Sequence, residues 1–481
     1  MSRAGRALAT SFCLMLGACE LAPPYAPPAV SAPASFREAG WVAAAPEDTT
    51  PSNSWWRAFN DPELNQLEER MARASQDLRA ALARYDEARA LARQARADLF
   101  PQVSGEADQE AGRLSRDVTN PLPHANYRQT AVHLDLGYEL DVWGRLRDQA
   151  HAASAQLRAS ADDLAAVTLS LQAEVATDYF ALRGYDAKVA IAEQAVEAYA
   201  QALTLTRQRF ATGYTAEPDV SAAEAALESA RTRRADLQLQ RRKLEHALAT
   251  LAGETPSELS IAPSPLAGRP PRFAAGAPAW LLQRRPDVAA AERRVQAANY
   301  TIGAARAAFF PSFDLSAAIG GQSAIPTTVL SAPAEVWALG GRGLLQLLDG
   351  GRRRAQLAGA RAAFQEAAAA YRGTVLRAYG EVEDDLAALH SLDEETLSQS
   401  RAIAAASRAT GQARLRYEGG YAAYYEVVTA QQVELAARLD GAELDARRFG
   451  ATVALVKALG GGWQGDESRS RPGAAGATGY E

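Results

Sequence analysis

The sequence has very little cysteine. Its two cysteines, Cys13 and Cys19, both fall in the first twenty of 481 residues. A chain whose body carries no thiol has neither a disulfide framework nor a thiolate zinc site. Histidine is also scarce, with five residues scattered at 124, 133, 151, 246 and 390 and no pair at metal-ligand spacing, so no metal site is expected. Lysine is limited to Lys188, Lys243 and Lys457, and the formal charge is -6, which argues against nucleic acid because phosphate binding needs a basic face. Beyond the N-terminus there is no apolar run of about 20 residues, so no transmembrane helix is expected. Nucleophile-elbow, phosphate-loop and paired His and Asp signatures are absent too, and an enzyme is not expected.

What is present begins with Arg3 and Arg6, an apolar stretch from Ala7 to Leu16, and then small residues. This is the layout of a secretory signal peptide, expected over residues 1–18. Leu16-Gly17-Ala18-Cys19 resembles the lipobox of bacterial lipoproteins, which implies a diacylglyceryl thioether on Cys19 and a palmitate-bearing N-terminus. The alternative is an ordinary signal peptide with an incidental cysteine. Residues 19–55 are rich in Pro and Ala, including Pro23-Pro24 and Pro27-Pro28, and read as an extended lead segment spacing the lipid from the body.

Residues 56–253 follow one pattern. Asp61-Pro62 supplies an N-cap and a first-turn proline. Leu64, Leu67, Met71, Leu78, Ala81, Tyr85, Ala92 and Leu99 then recur at three-four spacing, predicting one helix to Phe100-Pro101. Next, Val103, Gly105, Ala107 and Ala111 alternate with Gln102, Ser104, Glu106, Asp108 and Glu110. After a loop with Asn120-Pro121, Val132, Leu134, Leu136, Tyr138 and Leu140 oppose Ala131, His133, Asp135 and Glu139. Period two in both segments predicts a hairpin of membrane-spanning length. Gly144 opens a helix of about 65 residues to Phe210, near 100 Å long at 1.5 Å per residue. Gly213 and Pro218 turn the chain into a second long helix ended by Gly253.

A Pro-rich connection spans residues 254–285, and the pattern then repeats over residues 286–462, leaving residues 463–481 as a Gly- and Ser-rich tail expected to be disordered. Phe100-Pro101 recurs as Phe310-Pro311, Gly144-Arg145 as Gly351-Arg352, and Arg209-Phe210 with Gly213-Tyr214 as Arg416-Tyr417 with Gly420-Tyr421. The offsets of 207 to 210 mark a duplicated half-unit. Second-copy strands are expected through Phe313, Leu315, Ala317 and Ile319, then through Trp337, Leu339, Leu345 and Leu347. The fold class is therefore mainly α, with long antiparallel coiled-coil helices and four membrane strands per chain. Four strands cannot close a barrel in lipid, where every open backbone group costs several kcal/mol, so oligomerisation is required.

At these residues the chain resembles the TolC-like outer-membrane efflux proteins, in particular their lipoprotein branch of the OprM and NodT type. The resemblance runs from Cys19 to Trp463. It is carried by Trp55-Trp56 with Asp61-Pro62, by residues Tyr138 to Arg145, by Leu281 to Asp287, by Ala307 to Pro311, by Asp349 to Arg352 and by Arg414 to Glu418. It implies a homotrimer with a twelve-stranded β-barrel in the Gram-negative outer membrane, in contact with its lipid, and a helical barrel in the periplasm. It also implies partnership with a periplasmic adaptor and an inner-membrane pump of the RND type, with no cofactor in this subunit. By position it places the periplasmic gate at Asp219, Glu426 and Tyr417, and adaptor-contacting tips at Arg209, Phe210, Gly213, Arg416 and Gly420. Thr429 and Ala422 stand where the family has an acidic residue and a basic partner, which weakens a charged latch. The competing functions are a type I protein-secretion duct and a periplasmic coiled-coil scaffold or adaptor lipoprotein; the alternating strands count against the latter.

Overall fold

The computed structural model of the chain describes residues 21–31, 33, 35–38, 54–113, 115, 117, 126–266, 268–273 and 284–463. The signal peptide, Cys19, the hairpin loop at Asn120-Pro121, part of the Pro-rich connection and the tail from residue 464 lie outside the described residues. The elements run α1 (Pro62–Ala74), α2 (Gln76–Ala97), β1 (Gln102–Arg113), β2 (Asn126–Glu139), α3 (Arg145–Ala211) and α4 (Glu217–Leu251). The second copy follows as α5 (Pro286–Ala307), β3 (Ser312–Ser323), β4 (Glu335–Leu344), α6 (Arg352–Glu418) and α7 (Tyr424–Ala458). Both long helices have 67 residues and both return helices have 35, so the duplication holds to the residue in the helices.

The chain divides into two compact units. The first comprises Met1–Ala29, Arg84–Ala161 and Ala290–Arg372. It holds a four-stranded antiparallel meander in the order β1-β2-β3-β4. Its register sets like against like. Val103, Leu136, Ala317 and Leu339 form one row, and Gly105, Leu134, Ile319 and Trp337 the next, giving one apolar face. Rows through Glu106 and His133, and through Ser104 and Asp135, give the polar face. Every residue of β4 is exposed, as is nearly all of β1, because both are edge strands with a free row of backbone groups. Leu345 and Leu347 lie past the end of β4, a correction to the predicted strand. The chain leaves the ladder at Leu344 to reach Asp349, whose carboxylate caps α6 through the amides of Gly351 (3.0 Å) and Arg353 (3.1 Å). Asp141 does the same for α3 through Leu146 (3.0 Å) and Arg147 (2.9 Å).

The lead segment is fastened rather than free over its described residues. Asn299 donates to the Pro23 carbonyl (2.8 Å), Arg306 to that of Leu21 (3.1 Å), and the Tyr25 hydroxyl to the Glu292 carbonyl (3.3 Å). Gly303 allows this approach, since a Cβ there would lie 2.7 Å from the Ala22 nitrogen.

The second unit comprises Val30–Ala83, Asp162–Ala289 and Gly373–Glu481. Its main core gathers Trp55, Leu64, Leu67 and Met71 with Val175, Tyr179, Phe180, Leu248, Phe449 and Val453. Phe180 touches Phe59 and Phe449 at ring separations of 4.8 and 4.6 Å. Asp61 caps α1 by accepting from the amides of Glu63 and Leu64, and its other oxygen takes the Tyr179 hydroxyl at 2.6 Å. The predicted single helix from Asp61 to Phe100 is corrected: it breaks at Ser75, whose ψ of 127° is not helical. At the break the Ala74 carbonyl accepts from the Gln76 side-chain amide (3.0 Å), and Gly253, at φ +73°, approaches it so closely that a Cβ there would lie 2.3 Å from the oxygen.

The Pro-rich connection is held by charge. Asp186, only 2 % exposed, accepts from Arg183 (3.0 Å), Arg241 (2.8 Å) and the Ser264 amide (2.9 Å). Arg183 also donates to the Ala262 carbonyl at 2.6 Å, and Glu245 takes the Ile261 amide at 2.7 Å.

Candidate functional site

The helix returns are built alike from a Schellman motif. In the first copy Gly213 at φ +77° donates to the Phe210 carbonyl (3.0 Å) while Tyr214 donates to Arg209 (2.8 Å). In the second, Gly420 at φ +77° donates to Tyr417 (3.0 Å) and Tyr421 to Arg416 (2.8 Å). Glycine is needed at both because the left-handed backbone costs other residues about 1 kcal/mol or more. The bonds satisfy the last carbonyls of α3 and α6 and turn each chain within a few residues.

Around these returns a cluster joins four helices: Tyr199 and Leu203 of α3, Ala223 and Leu227 of α4, Tyr417 of α6, and Tyr424 and Val427 of α7. Tyr417, placed at the gate by the sequence, is 6 % exposed. Its ring lies 5.3 Å from that of Tyr424, its hydroxyl meets Thr206 at 3.4 Å, and Arg209 covers its outer face. Arg209 also donates to the carbonyls of Tyr417 (2.9 Å) and Glu418 (3.0 Å), so the two copies are tied to each other at their ends. Burial, with Tyr199 and Tyr417 beside it, pushes the Tyr424 hydroxyl up to about 12.

The acidic positions differ between copies. Asp219, half-buried in the first turn of α4, accepts from the Thr215 hydroxyl. Glu426, exposed in the first turn of α7, pairs with Arg416 at 3.2 Å. A basic partner thus exists at Arg416, which sequence position alone did not assign. Phe210 occupies the position equivalent to Tyr417 yet stays 47 % exposed, and Tyr214, Tyr421 and Tyr425 project outward from the same returns. Arg209 and Tyr417 are brought together, and so are Arg416 and Glu426, while Asp219 is bonded to Thr215.

In the first unit Trp143 is a packing residue, stacked on Phe310 at 4.7 Å with its Nε1 donating to the Pro311 carbonyl (2.8 Å). Trp337 is 74 % exposed on the apolar face of the sheet. Arg145 clamps Glu139 through two bonds of 2.9 and 2.5 Å where β2 gives way to α3. Among the described residues no helix is long and apolar enough to cross a membrane. The sheet, with one apolar face and free edges, is the element suited to lipid.

The model of the outer membrane efflux protein family matches residues 69–254 and 278–461, one match for each copy of the repeat. The chain belongs to the outer membrane efflux protein family. This efflux protein is 33 % identical over 462 residues to the pyoverdine export outer membrane protein OpmQ of Pseudomonas aeruginosa, covering 95 % of this chain and 96 % of that one. It is 31 % identical over 461 residues to the cation efflux system protein CusC of Escherichia coli, covering 94 % and 98 %. Among solved structures the outer-membrane channel OprN superposes with a TM-score of 0.85 at 32 % identity, covering 93 % of this chain and 100 % of that chain. The relatives are export proteins, and the efflux protein described here is a channel subunit of the outer membrane.

Proposed function

We propose that this efflux protein is the exit duct of a tripartite system: a homotrimer that receives small molecules from a periplasmic adaptor and an inner-membrane pump of the RND type. The observation that carries this reading is the four-stranded meander with two free edges, one apolar face and one polar face. Three copies bring twelve strands, enough to close a barrel with a lumen, whereas two bring eight, whose interior fills with side chains. The names of the relatives, which speak of pyoverdine, cations, solvents and toluene, favour small molecules over secreted protein as cargo.

A lipid on Cys19 belongs to the same reading. Leu21, two residues later, is held by Arg306, six residues before β3 begins at Ser312, so the acyl chains would start beside the strand-helix junction. The helix returns at Arg209, Phe210, Gly213, Arg416 and Gly420 serve as adaptor-contacting tips. Asp219 and Glu426 act as the periplasmic gate, three copies of each around one axis, with Tyr417 as the internal support beneath them.

Planar-bilayer conductance of the purified protein tests the gate. Small conductance in the wild type and a larger one in Asp219→Asn/Glu426→Gln is the expected result; equal conductance in both removes the gate assignment. Crosslinking that yields no species above the monomer removes the trimer.

A further inference from the structure

On the polar face of the sheet, Glu106 of β1 stands directly opposite His133 of β2, and Asp135 is the next residue of β2 on that face. His133 Nε2 lies 3.1 Å from Asp135 Oδ2 and 3.7 Å from Glu106 Oε2. One donor atom from each of the three residues falls within 4.8 Å of the others. The shortest of these approaches is an ion pair only if His133 is protonated; Asp135 Oδ2 is buried as an atom and has no hydrogen-bond partner among the described residues. An imidazole nitrogen and two carboxylate oxygens therefore converge on one point. With a neutral imidazole such convergence is unfavourable unless a cation occupies the point; a protonated imidazole is the competing source of that positive charge.

The spacing suits a small divalent ion. Zinc binds nitrogen and oxygen at about 2.0 to 2.2 Å, which sets tetrahedral donors roughly 3.3 to 3.6 Å apart. Gly320, the β3 residue paired with His133, lets the strands pack closely here, since a Cβ there would lie 2.6 Å from both the His133 Cα and Cβ. An imidazole with two carboxylates, and no thiolate or thioether, selects a first-row transition cation over the hard magnesium and calcium ions. Two carboxylate charges match the double charge of such an ion, and three protein donors leave a position open on the face of the sheet.

We propose that Glu106, His133 and Asp135 form a binding site for a divalent transition cation of the zinc, nickel or copper(II) class, one per chain. Occupied, the site staples β1 to β2 and replaces a negative patch on the polar face with a neutral one. The site stands on the register of one hairpin and does not depend on the gate or on the adaptor.

The test is calorimetric titration of the chelator-treated, detergent-solubilised full-length protein with zinc chloride, repeated with magnesium chloride. The wild type takes up one zinc per chain and no magnesium. His133→Gln and Glu106→Gln each weaken zinc binding by about tenfold or more, while His390→Gln, which changes a histidine outside the cluster, leaves it unchanged. A second readout is cobalt(II) absorption, which shows a visible band in the wild type that both ligand variants lose. Far-UV circular dichroism and gel filtration confirm that the variants are folded. A wild type that takes up no zinc overturns the assignment, and so does a His133→Gln variant with wild-type affinity and stoichiometry.

Discussion

Arg209 lies over the ring of Tyr417, its guanidinium carbon 4.6 Å from the ring centroid, while its two terminal nitrogens donate to the Tyr417 and Glu418 carbonyls. Residues from the ends of the two repeat copies are joined by three interactions at once. A lysine keeps the charge but loses the planar fork. Arg209→Lys is therefore expected to lower stability by about 1 kcal/mol and Arg209→Ala by more, measured as denaturant midpoints, and to increase amide exchange at the end of α6. Unchanged exchange there in Arg209→Ala would mean that the clamp is decorative.

Glu68 is 1 % exposed in the main core of the second unit, and neither carboxylate oxygen has a partner among the described residues. Burial holds its carboxyl well above the ordinary glutamate range. The sign follows: the folded state binds this proton more tightly than the unfolded state, so its contribution is full below the unfolded value and is lost as pH rises through the folded one. Glu68→Met should raise the unfolding free energy by about 1 to 3 kcal/mol at pH 8 and by less at pH 5. Thermal melts at both pH values decide this, and a variant less stable than the wild type at pH 8 contradicts it.

Asp178 and Asp385 are equivalent positions in the two copies, each one turn after a glutamate, Glu174 and Glu381. Burial first, then the neighbouring carboxylates, raises Asp178 to about 6 and Asp385 to about 7. Both bind protons more tightly when folded, so stability falls as pH rises from about 4 toward 7. Asp178→Asn/Asp385→Asn should flatten that slope, with the largest difference above pH 6. Parallel pH profiles of denaturant midpoint in wild type and variant would refute the assignment.

Asp186 anchors two arginines and the connection between the copies. Asp186→Asn leaves both guanidinium groups short of a buried counter-charge and should cost about 3 to 5 kcal/mol, seen as loss of folded protein at 37 °C. Arg241→Ala, which removes one of the paired groups, should partly restore the double variant.

Gly253 and Gly268 both have positive φ, but a Cβ added at Gly253 would meet the Ala74 carbonyl, whereas one added at Gly268 would meet nothing within 4 Å among the described residues. Gly268→Ala should cost about 1 kcal/mol, the left-handed penalty alone. Gly253→Ala should cost clearly more, because α1 must shift as well. Equal melting temperatures would show that the Ala74 contact carries no energy.

Much of the fold was legible because its signals are periodic. Seven-residue seams mark α3 and α6, two-residue alternation marks β1 to β3, and glycines at 213, 253 and 420 mark helix ends. The break at Ser75 was not legible, since it goes with a close approach between the Ala74 carbonyl and Gly253, 179 positions later in the chain. At the returns, acidic and glycine positions could be read from the duplication, but Arg209 with Tyr417 and Arg416 with Glu426 could not: each pairing depends on helix rotation. The Glu106, His133 and Asp135 grouping was hidden for a related reason. Each residue reads as a member of a polar face, and only the strand register places the three together.

The exposed edges of β1 and β4 bear on inheritance as well as architecture. A subunit whose β4 edge is damaged still offers an intact β1 edge to a healthy neighbour, so it can enter a ring that it then prevents from closing. In the proposed three-subunit ring, equal co-expression of damaged and intact copies would leave only about one-eighth of rings wholly intact. Edge-strand alleles of this protein are therefore expected to be dominant, whereas alleles that prevent folding of the monomer should be recessive.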